Sequence, residues 1–165
     1  MTAPALDIDI DPVWGDATDW VALAEAATAA AALAAPELAH DHMLVSLVLA
    51  DDDDVHALNR QWRARDKPTN VLSFPMLSRD EVLRAAADAG APAMLGDLIL
   101  AHGVCRREAA EKGIAMAAHA THLIVHGLLH LAGYDHETGD ADAEAMEDLE
   151  RKALASLGLA DPYGD

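Results

Sequence analysis

Apolar side chains alternate with acidic ones near the start of the chain, where aspartates separate Leu6, Ile8 and Ile10. An alternation with a period of two predicts a strand with one buried face. Short apolar runs predict three further strands, MLVSLVLA, NVLSFP and DLILA, at residues 43–50, 70–75 and 97–101. We therefore expect a sheet of about four strands.

Longer segments rich in helix-forming residues lie between and after these strands. We predict helices over 18–35, 51–65, 103–113, 114–133 and 139–158, and a short helix in an insertion at 77–92. The first ends before Pro36 and the second before Pro68, because a residue that precedes proline is disfavoured in a helix. These elements alternate with the strands along the chain.

Two of the helices carry informative patterns. In the helix over 51–65, Val55, Leu58 and Trp62 share one face, which predicts an apolar face. The helix over 114–133 is apolar nearly all round, which predicts a buried position in the centre of the molecule. The predicted fold class is α+β, with a small mixed sheet of about four strands packed against helices. We expect one domain over 1–165, with a loose tail over 158–165.

Charge and composition restrict the classes of partner. The formal net charge of −18 is unusual for a nucleic-acid binder, because such proteins bind largely by neutralising phosphates. Positive charge is local instead, since four of the eleven basic residues fall within RQWRARDK, residues 60–67. The single cysteine, Cys105, excludes an intramolecular disulfide. The acidic N-terminus is unlike a secretory signal and AATAAAALAA is too short to span a bilayer, so we expect a cytoplasmic protein without a membrane partner.

The most informative stretch is HGLLHLAGYDH, which contains His126, His130 and His136. His126 and His130 are four residues apart, so on a helix they share one face and can reach one ion. Gly133 can end that helix in a left-handed conformation, after which the chain returns with His136. We predict that the three histidines bind one zinc ion per chain at the end of the central helix.

The spacing matches the zinc motif H-E-x-x-H-x-x-G-x-x-H of a class of peptidases, except that Gly127 replaces the catalytic glutamate. Three neutral imidazoles leave one ligand position open, which is typical of catalytic rather than structural zinc. A glycine inside a helix costs about 1 kcal/mol relative to alanine. Gly127 therefore indicates either a close approach by substrate or by another backbone, or packing against a neighbouring element.

Two more histidines, His119 and His122, continue the same helix face. They could support the metal ligands or face a substrate, or they could be hydrogen-bonded core residues. The second interpretation is favoured for His119, and both stay open for His122.

Three blocks of sequence are similar to the YbeY family of bacterial metal-dependent endoribonucleases: HGLLHLAGYDH, LNRQWRARDKPTNVLSFP at 58–75 and LGDLIL at 95–100. The similarity extends over roughly residues 40–157. It implies an α+β fold and cleavage of single-stranded RNA, in the maturation of small-subunit ribosomal RNA ends and in ribosome quality control. The implied partners are single-stranded or ribosomal RNA and the small ribosomal subunit or its proteins.

Position by position, the resemblance implies His126, His130 and His136 as zinc ligands, Arg63 as the functional arginine and Asp97 as the aspartate of the third block. A guanidinium binds phosphate bidentately, so we expect Arg63 to be catalytic by holding the scissile phosphate. Asp97 could orient a ligand histidine, or it could be only a strand-end cap or turn former.

Other residues extend this site. Arg60 and Lys67 fall on one helical stripe with Arg63, so both are candidates for RNA contact, although a solvated charged face is the favoured interpretation of Arg60. Without a glutamate at position 127, proton transfer would fall to a nearby group such as Asp135 or His122, to metal-bound hydroxide or to the RNA itself. Two features depart from the family: Trp62 stands where tyrosine is commoner, and the stretch from Pro75 to Gly96 is longer than in compact members.

Two other functions are compatible with the residues. One is zinc-dependent hydrolysis of another substrate, a peptide or an amide; the histidine spacing permits it, and the missing glutamate and the arginine block disfavour it. The other is a ribosome-assembly factor that acts by binding and whose metal is structural, which the open ligand position disfavours weakly.

Overall fold

The computed structural model describes residues 2–63, 69–88, 90–134 and 139–163, and for Arg63 the backbone alone. The described strands are β1 (Ala5–Ile10), β2 (Met43–Ala50), β3 (Val71–Pro75) and β4 (Ala93–Ala101). The described helices are α1 (Trp20–Ala34), α2 (Asp52–Arg63), α3 (Arg79–Ala87), α4 (His102–Lys112), α5 (Met116–Leu131) and α6 (Asp140–Ser156). Every predicted strand and helix is present, and only β4 has a boundary that differs by more than about two residues.

The strands form one sheet in the order β1-β2-β4-β3. β2 is parallel to both β1 and β4, whereas β3 is antiparallel to β4. Parallel neighbours need a crossover connection, which α1 supplies between β1 and β2. The predicted α+β class with a small mixed sheet is confirmed.

The main hydrophobic core lies between one face of the sheet and helices α1, α5 and α6. Leu47, Leu49 and Leu98 enter it from the sheet and are buried. Helix α5 contacts β3, β4, α1, α4 and α6, so the apolar helix is central, as predicted. A smaller cluster on the opposite face joins Val55 of α2 to Ile99 of β4.

Strand β4 begins at Ala93, four residues before the predicted start at Asp97. The pairing of β2 with β4 shifts register between Leu44 and Val45, and Gly96 lies opposite Val45 after the shift. Gly96 has a φ of +147°, and a Cβ there would collide with the Phe74 carbonyl oxygen. This bulge interrupts the period of two, which is why the sequence pattern did not include residues 93–96.

Helix α2 departs from its predicted apolar face. Val55 is buried and Leu58 partly so, but Trp62 is 65% exposed, and Asn59 occupies the buried position in the second half of the helix. Among the described residues, the apolar cluster beneath α2 contains Val55 and Leu58 but not Trp62. The prediction that Trp62 belongs to a packed apolar face is therefore wrong.

The chain after α6 also differs from the predicted loose tail, as far as it is described. Leu159 packs against the main core. The Nε of Arg151 donates to Asp161 Oδ2 at 3.0 Å, and the hydroxyl of Tyr163 donates to Glu150 at 2.9 Å. Buried and charged partners on α6 thus hold the segment up to Tyr163.

Within the described ranges no single helix is long and apolar enough to cross a membrane. Helices α4 and α5 taken together have the length and apolar composition of a membrane span, but the chain bends by 114° where they meet.

Candidate metal centre

Two of the predicted metal ligands converge at the C-terminal end of α5. His126 and His130 are one turn apart, and their Nε2 atoms lie 3.1 Å from one another. Two nitrogens that bind one zinc ion tetrahedrally at about 2.0–2.1 Å would be roughly 3.3 Å apart. The side chain of His126 is 21% exposed, so this edge of the helix is accessible from solvent. The two imidazoles therefore fit a shared divalent cation.

Gly127 allows α5 to approach the sheet. A Cβ at this position would lie 2.6 Å from Leu98 Cδ2, and Leu98 is fully buried in the core. Of the two interpretations of Gly127, packing against a neighbouring element explains it. A side chain at 127 would run into the sheet, so this helix has no room for the glutamate of the peptidase motif.

A buried carboxylate that the sequence analysis did not identify supports His126 from behind. Glu150 of α6 is fully buried, and its Oε1 accepts hydrogen bonds from His126 Nδ1 at 2.8 Å and His122 Nε2 at 2.9 Å. Because an ionised carboxylate only accepts, the proton of His126 lies on Nδ1, and the lone pair of its Nε2 is directed toward His130. Metal-binding histidines commonly donate their other ring N–H to a carboxylate in this way.

The sequence of α6 contains a signal for Glu150. Met146, Glu150 and Leu154 recur every four residues and are all buried. A charged side chain therefore occupies a position that the helical period assigns to the core. Buried charges are paired, so such a residue indicates a partner on a neighbouring element.

The electrostatics of this carboxylate follow from its partners. Burial would raise the pKa of Glu150, but the hydrogen bonds from His122 and His126 outweigh burial and lower its pKa to about 2. Glu150 is therefore ionised at neutral pH. Its negative charge favours the tautomer and the orientation that His126 needs as a ligand.

A second group of possible ligand atoms, from His122, His126 and Glu150, lies within 4.8 Å of one another. In the structure these atoms are already joined by hydrogen bonds of 2.8 and 2.9 Å, and Glu150 accepts a further one from Tyr163. A cation on the Nδ1 side of His126 would have to replace those bonds. We therefore favour the Nε2 side, which faces His130, as the metal position.

The two upstream histidines of α5 are both buried. His122 shares the carboxylate of Glu150 with His126, so it belongs to the hydrogen-bond network behind the predicted ligands. The Nε2 of His119 lies 2.9 Å from Glu108 Oε1. His119 is therefore a hydrogen-bonded core residue, which is the favoured interpretation.

The turn predicted after α5 is held by the short helix of the insertion. Gly133 has a φ of +100°, and a Cβ there would lie 2.8 Å from the Cβ of Arg79. Arg79 Nη1 donates to the Ala132 carbonyl at 2.9 Å and pairs with Glu37 Oε2 at 2.6 Å. Tyr134 Oη donates to the same oxygen of Glu37 at 2.6 Å. These contacts fix the direction in which the chain leaves α5.

The third predicted ligand, His136, follows two residues after Tyr134 and lies outside the described residues, as does Asp135. Lys67 also lies outside them. Their parts in the site stay predictions.

The structure does not place Asp97 at the end of its strand, and its proposed role in orienting a ligand histidine stays a prediction. Asp97 lies in the middle of β4, opposite Ser46 and Phe74, so it is not a strand-end cap. Side chains alternate along a strand, and Leu98 faces α5, so Asp97 points to the face that α2 covers. Among the described residues no hydrogen bond joins Asp97 to a histidine.

The basic residues lie on α2. Arg63 is its last residue, and Arg60 is exposed one turn earlier. The exposed indole of Trp62 lies between them in sequence. The structure thus gives the backbone of the predicted basic stripe at Arg60 and Arg63, and the position of the Arg63 guanidinium stays a prediction.

Comparison with known proteins gives consistent matches. A family model described as endoribonuclease YbeY matches residues 15–158. The endoribonuclease YbeY of Novosphingobium aromaticivorans is 75% identical over 163 residues, which cover 99% of this chain and 98% of the relative. That of Erythrobacter litoralis is 58% identical over 160 residues, covering 97% and 98%.

A solved structure has a similar fold. The solution structure of TM1509 from Thermotoga maritima has a TM-score of 0.55 and 23% sequence identity, and the match covers 96% of this chain and 100% of that one. At this identity the likeness supports the fold alone. The family model and the full-length relatives carry the assignment: this chain belongs to the endoribonuclease YbeY family.

Proposed function

We propose that this chain is a zinc-dependent endoribonuclease that cuts single-stranded RNA in the cytoplasm, in the maturation of small-subunit ribosomal RNA and in ribosome quality control. Its membership of the endoribonuclease YbeY family supports RNA cleavage. His126, His130 and His136 would hold the cation.

One observation carries the proposal of a metal centre. The Nε2 atoms of His126 and His130 lie 3.1 Å apart, and a buried carboxylate fixes the opposite nitrogen of His126. Two histidines on a helix surface do not need a buried carboxylate beside them. A histidine that binds a cation through one ring nitrogen commonly has a carboxylate that accepts from its other nitrogen.

The chain's own groups have separate tasks in this scheme. His126, His130 and His136 would hold a divalent cation, which would supply stabilisation of negative charge on a phosphoryl oxygen and a lowered pKa of bound water. Arg63 would bind the scissile phosphate bidentately and stabilise the charge that develops on it. Gly127 leaves no carboxylate base on the helix, and His122 is committed to Glu150. Asp135 is therefore the group of this chain that we propose for proton transfer.

The proposed ligands are tested by His130→Ala. We expect this variant to lose bound zinc and to cleave single-stranded RNA at less than about 1% of the wild-type rate, since loss of a ligand removes the cation's contribution. Elemental analysis and a cleavage assay measure the two properties. His40→Ala, on the loop before β2, is the matched histidine control and should retain both. Full RNA cleavage by a zinc-free His130→Ala protein would contradict the proposal.

The proposed role of Arg63 is tested separately. We expect Arg63→Ala to retain zinc while kcat falls by about 100- to 1000-fold, because the guanidinium acts on the phosphate and not on the cation. Arg84→Ala, an exposed arginine of α3, serves as the control. Normal turnover by Arg63→Ala would show that Arg63 is an ordinary surface residue.

Casein in the same assay tests the peptidase alternative. Cleavage of casein but not of RNA by the wild-type protein would support that alternative.

A further inference from the structure

The carboxylate behind His126 has a third donor, which comes from the end of the chain. Tyr163 Oη donates to Glu150 Oε2 at 2.9 Å, on the oxygen that the two histidines leave free. Glu150 is 0% exposed, so its charge depends on these three donors rather than on water. Together they fix both oxygens of the carboxylate.

The segment that carries Tyr163 is itself anchored. The pairing of Arg151 with Asp161 at 3.0 Å holds it against α6, and the Arg151 guanidinium lies 5.5 Å from the centre of the Tyr163 ring. The same ring meets His122 edge to face, with 5.6 Å between the ring centres and 90° between the planes. The phenol therefore reaches Glu150 from a defined direction.

A carboxylate that can rotate directs a histidine less well than one whose two oxygens are both held. If Oε2 of Glu150 lost its donor, the carboxylate could turn about its last bond, and the hydrogen bond from His126 Nδ1 would bend or lengthen. The Nε2 of His126 would then deviate from the position 3.1 Å from His130 Nε2. The supports of metal ligands typically change metal affinity by 10- to 100-fold when they are removed.

We propose that Glu150 and Tyr163 are positioning residues of the metal centre, and that the C-terminal segment is part of the site's support. Tyr163 holds the carboxylate of Glu150, and Glu150 holds the tautomer and the orientation of His126. The inference rests on the proposed function, because it requires that His126 bind the cation through Nε2.

The test measures zinc affinity by competition with a chromophoric chelator in full-length Glu150→Gln and Tyr163→Phe. The amide of Glu150→Gln can still accept from the histidines but carries no charge, so we expect its affinity to fall by about 10- to 100-fold. Tyr163→Phe keeps the ring and loses only the hydroxyl, and we expect a smaller loss of about threefold to tenfold. Glu144→Gln, exposed on the same helix, is the control and should bind zinc as the wild type does.

A second readout separates positioning from general destabilisation. The ¹⁵N chemical shifts of the His126 ring report which nitrogen carries the proton, and we expect a fixed Nδ1–H in the zinc-free wild type and a mixture of tautomers in Glu150→Gln. Tyr163→Phe decides the issue if Glu150→Gln does not fold, because it removes only the hydroxyl of a side chain that is 42% exposed. Wild-type zinc affinity in Tyr163→Phe, or an unchanged His126 tautomer in folded Glu150→Gln, would overturn the inference.

The two proposals fail in different ways. If His130→Ala keeps its zinc, the metal centre itself is wrong. If His130→Ala loses zinc while Glu150→Gln and Tyr163→Phe bind it normally, only the positioning role is wrong.

Discussion

At the scale of single residues, three side chains fix the turn that leads from α5 toward His136. Glu37 accepts from both Arg79 and Tyr134, and Arg79 also donates to the carbonyl of Ala132. Burial would raise the pKa of Glu37, but the hydrogen bonds from Tyr134 and Arg79 and the charge of Arg79 outweigh it, so the pKa is lowered from 4.5. The ionised form is the one that holds the turn.

This cluster predicts a pH-dependent stability. A carboxyl whose pKa falls on folding stabilises the protein above its unfolded-state pKa, and that contribution is lost as pH falls through the folded-state pKa. We expect Glu37→Gln to lower the free energy of unfolding by about 1–3 kcal/mol at neutral pH. Urea denaturation should show that the difference in the free energy of unfolding between variant and wild type becomes smaller below a pH of about 4.5. Glu25→Gln, exposed on α1, is the control. If the difference in the free energy of unfolding between Glu37→Gln and wild type stayed constant below a pH of about 4.5, the stabilising role of ionised Glu37 would be contradicted.

Residue-scale patterns also mark the limits of sequence reasoning. The spacing of His126 and His130 predicted that they share one helix face, and their ring nitrogens do converge. Glu150 is an acid among the buried positions of α6, and the prediction of a helix over 139–158 did not extend to which of its residues are buried. No pattern within one element could show that Glu150 meets His126, because that contact spans 24 residues of sequence.

At the scale of elements, the helix that carries the arginines is joined to its neighbour by a side chain. Asp52, the first residue of α2, accepts from the backbone N–H groups of Gly103 at 2.8 Å and Val104 at 3.1 Å. These groups belong to the first turn of α4, whose N–H donors have no partners within their own helix. A Cβ on Gly103 would collide with the carboxylate of Asp52, so glycine is required for this contact.

We therefore expect Asp52→Ala to destabilise the protein by about 0.5–2 kcal/mol, which is typical for loss of a helix cap. Because the cap also joins α2 to α4, Arg63 should become less well held, and RNA cleavage should fall more than zinc binding does. Thermal denaturation, zinc analysis and the cleavage assay measure the three effects. Asp53→Ala, exposed on the same turn of α2, should behave as the wild type. Equal stability of the two variants would contradict the capping role.

Elements with a regular period were predictable, and irregular ones were not. Helices α5 and α6 were located to within about two residues because composition and period agree over their whole lengths. The start of β4 was missed because the bulge at Gly96 shifts the alternation. The exposure of Trp62 could not be foreseen, because it depends on which side chains of other elements pack against α2 rather than on the helix itself.

At the scale of the whole molecule, charge restricts how the protein can meet RNA. A net charge of −18 repels a polyanion, and the basic residues of 60–67 provide a local exception. Such an enzyme is expected to bind naked RNA weakly, which agrees with the proposal that a partner, the small ribosomal subunit or its proteins, delivers it to the RNA. The order of the strands in the sheet and the packing of the C-terminal segment against α6 also belong to the whole molecule. Local sequence patterns do not predict them, because both depend on contacts between residues that are far apart in sequence.

The charge distribution makes a measurable prediction. If Arg60, Arg63 and Lys67 each contact one phosphate, the logarithm of the affinity for single-stranded RNA should fall against the logarithm of salt concentration with a slope of roughly −2, about −0.7 per contact. Fluorescence anisotropy between about 50 and 200 mM salt measures this slope. Arg60→Ala should reduce its magnitude by about 0.7, and Arg84→Ala should leave it unchanged. Affinity that does not respond to salt, or that is equal for naked RNA and assembled subunits, would contradict the account.

The central claim is that the end of α5 and the chain that returns after Gly133 enclose one cation. The most direct measurement is an anomalous difference map at the zinc edge, from crystals of the zinc-loaded protein. We expect one peak per chain at about 2.0–2.1 Å from the Nε2 atoms of His126 and His130 and from a ring nitrogen of His136. A peak bound instead by His122 and Glu150, or no peak at the end of α5, would contradict it.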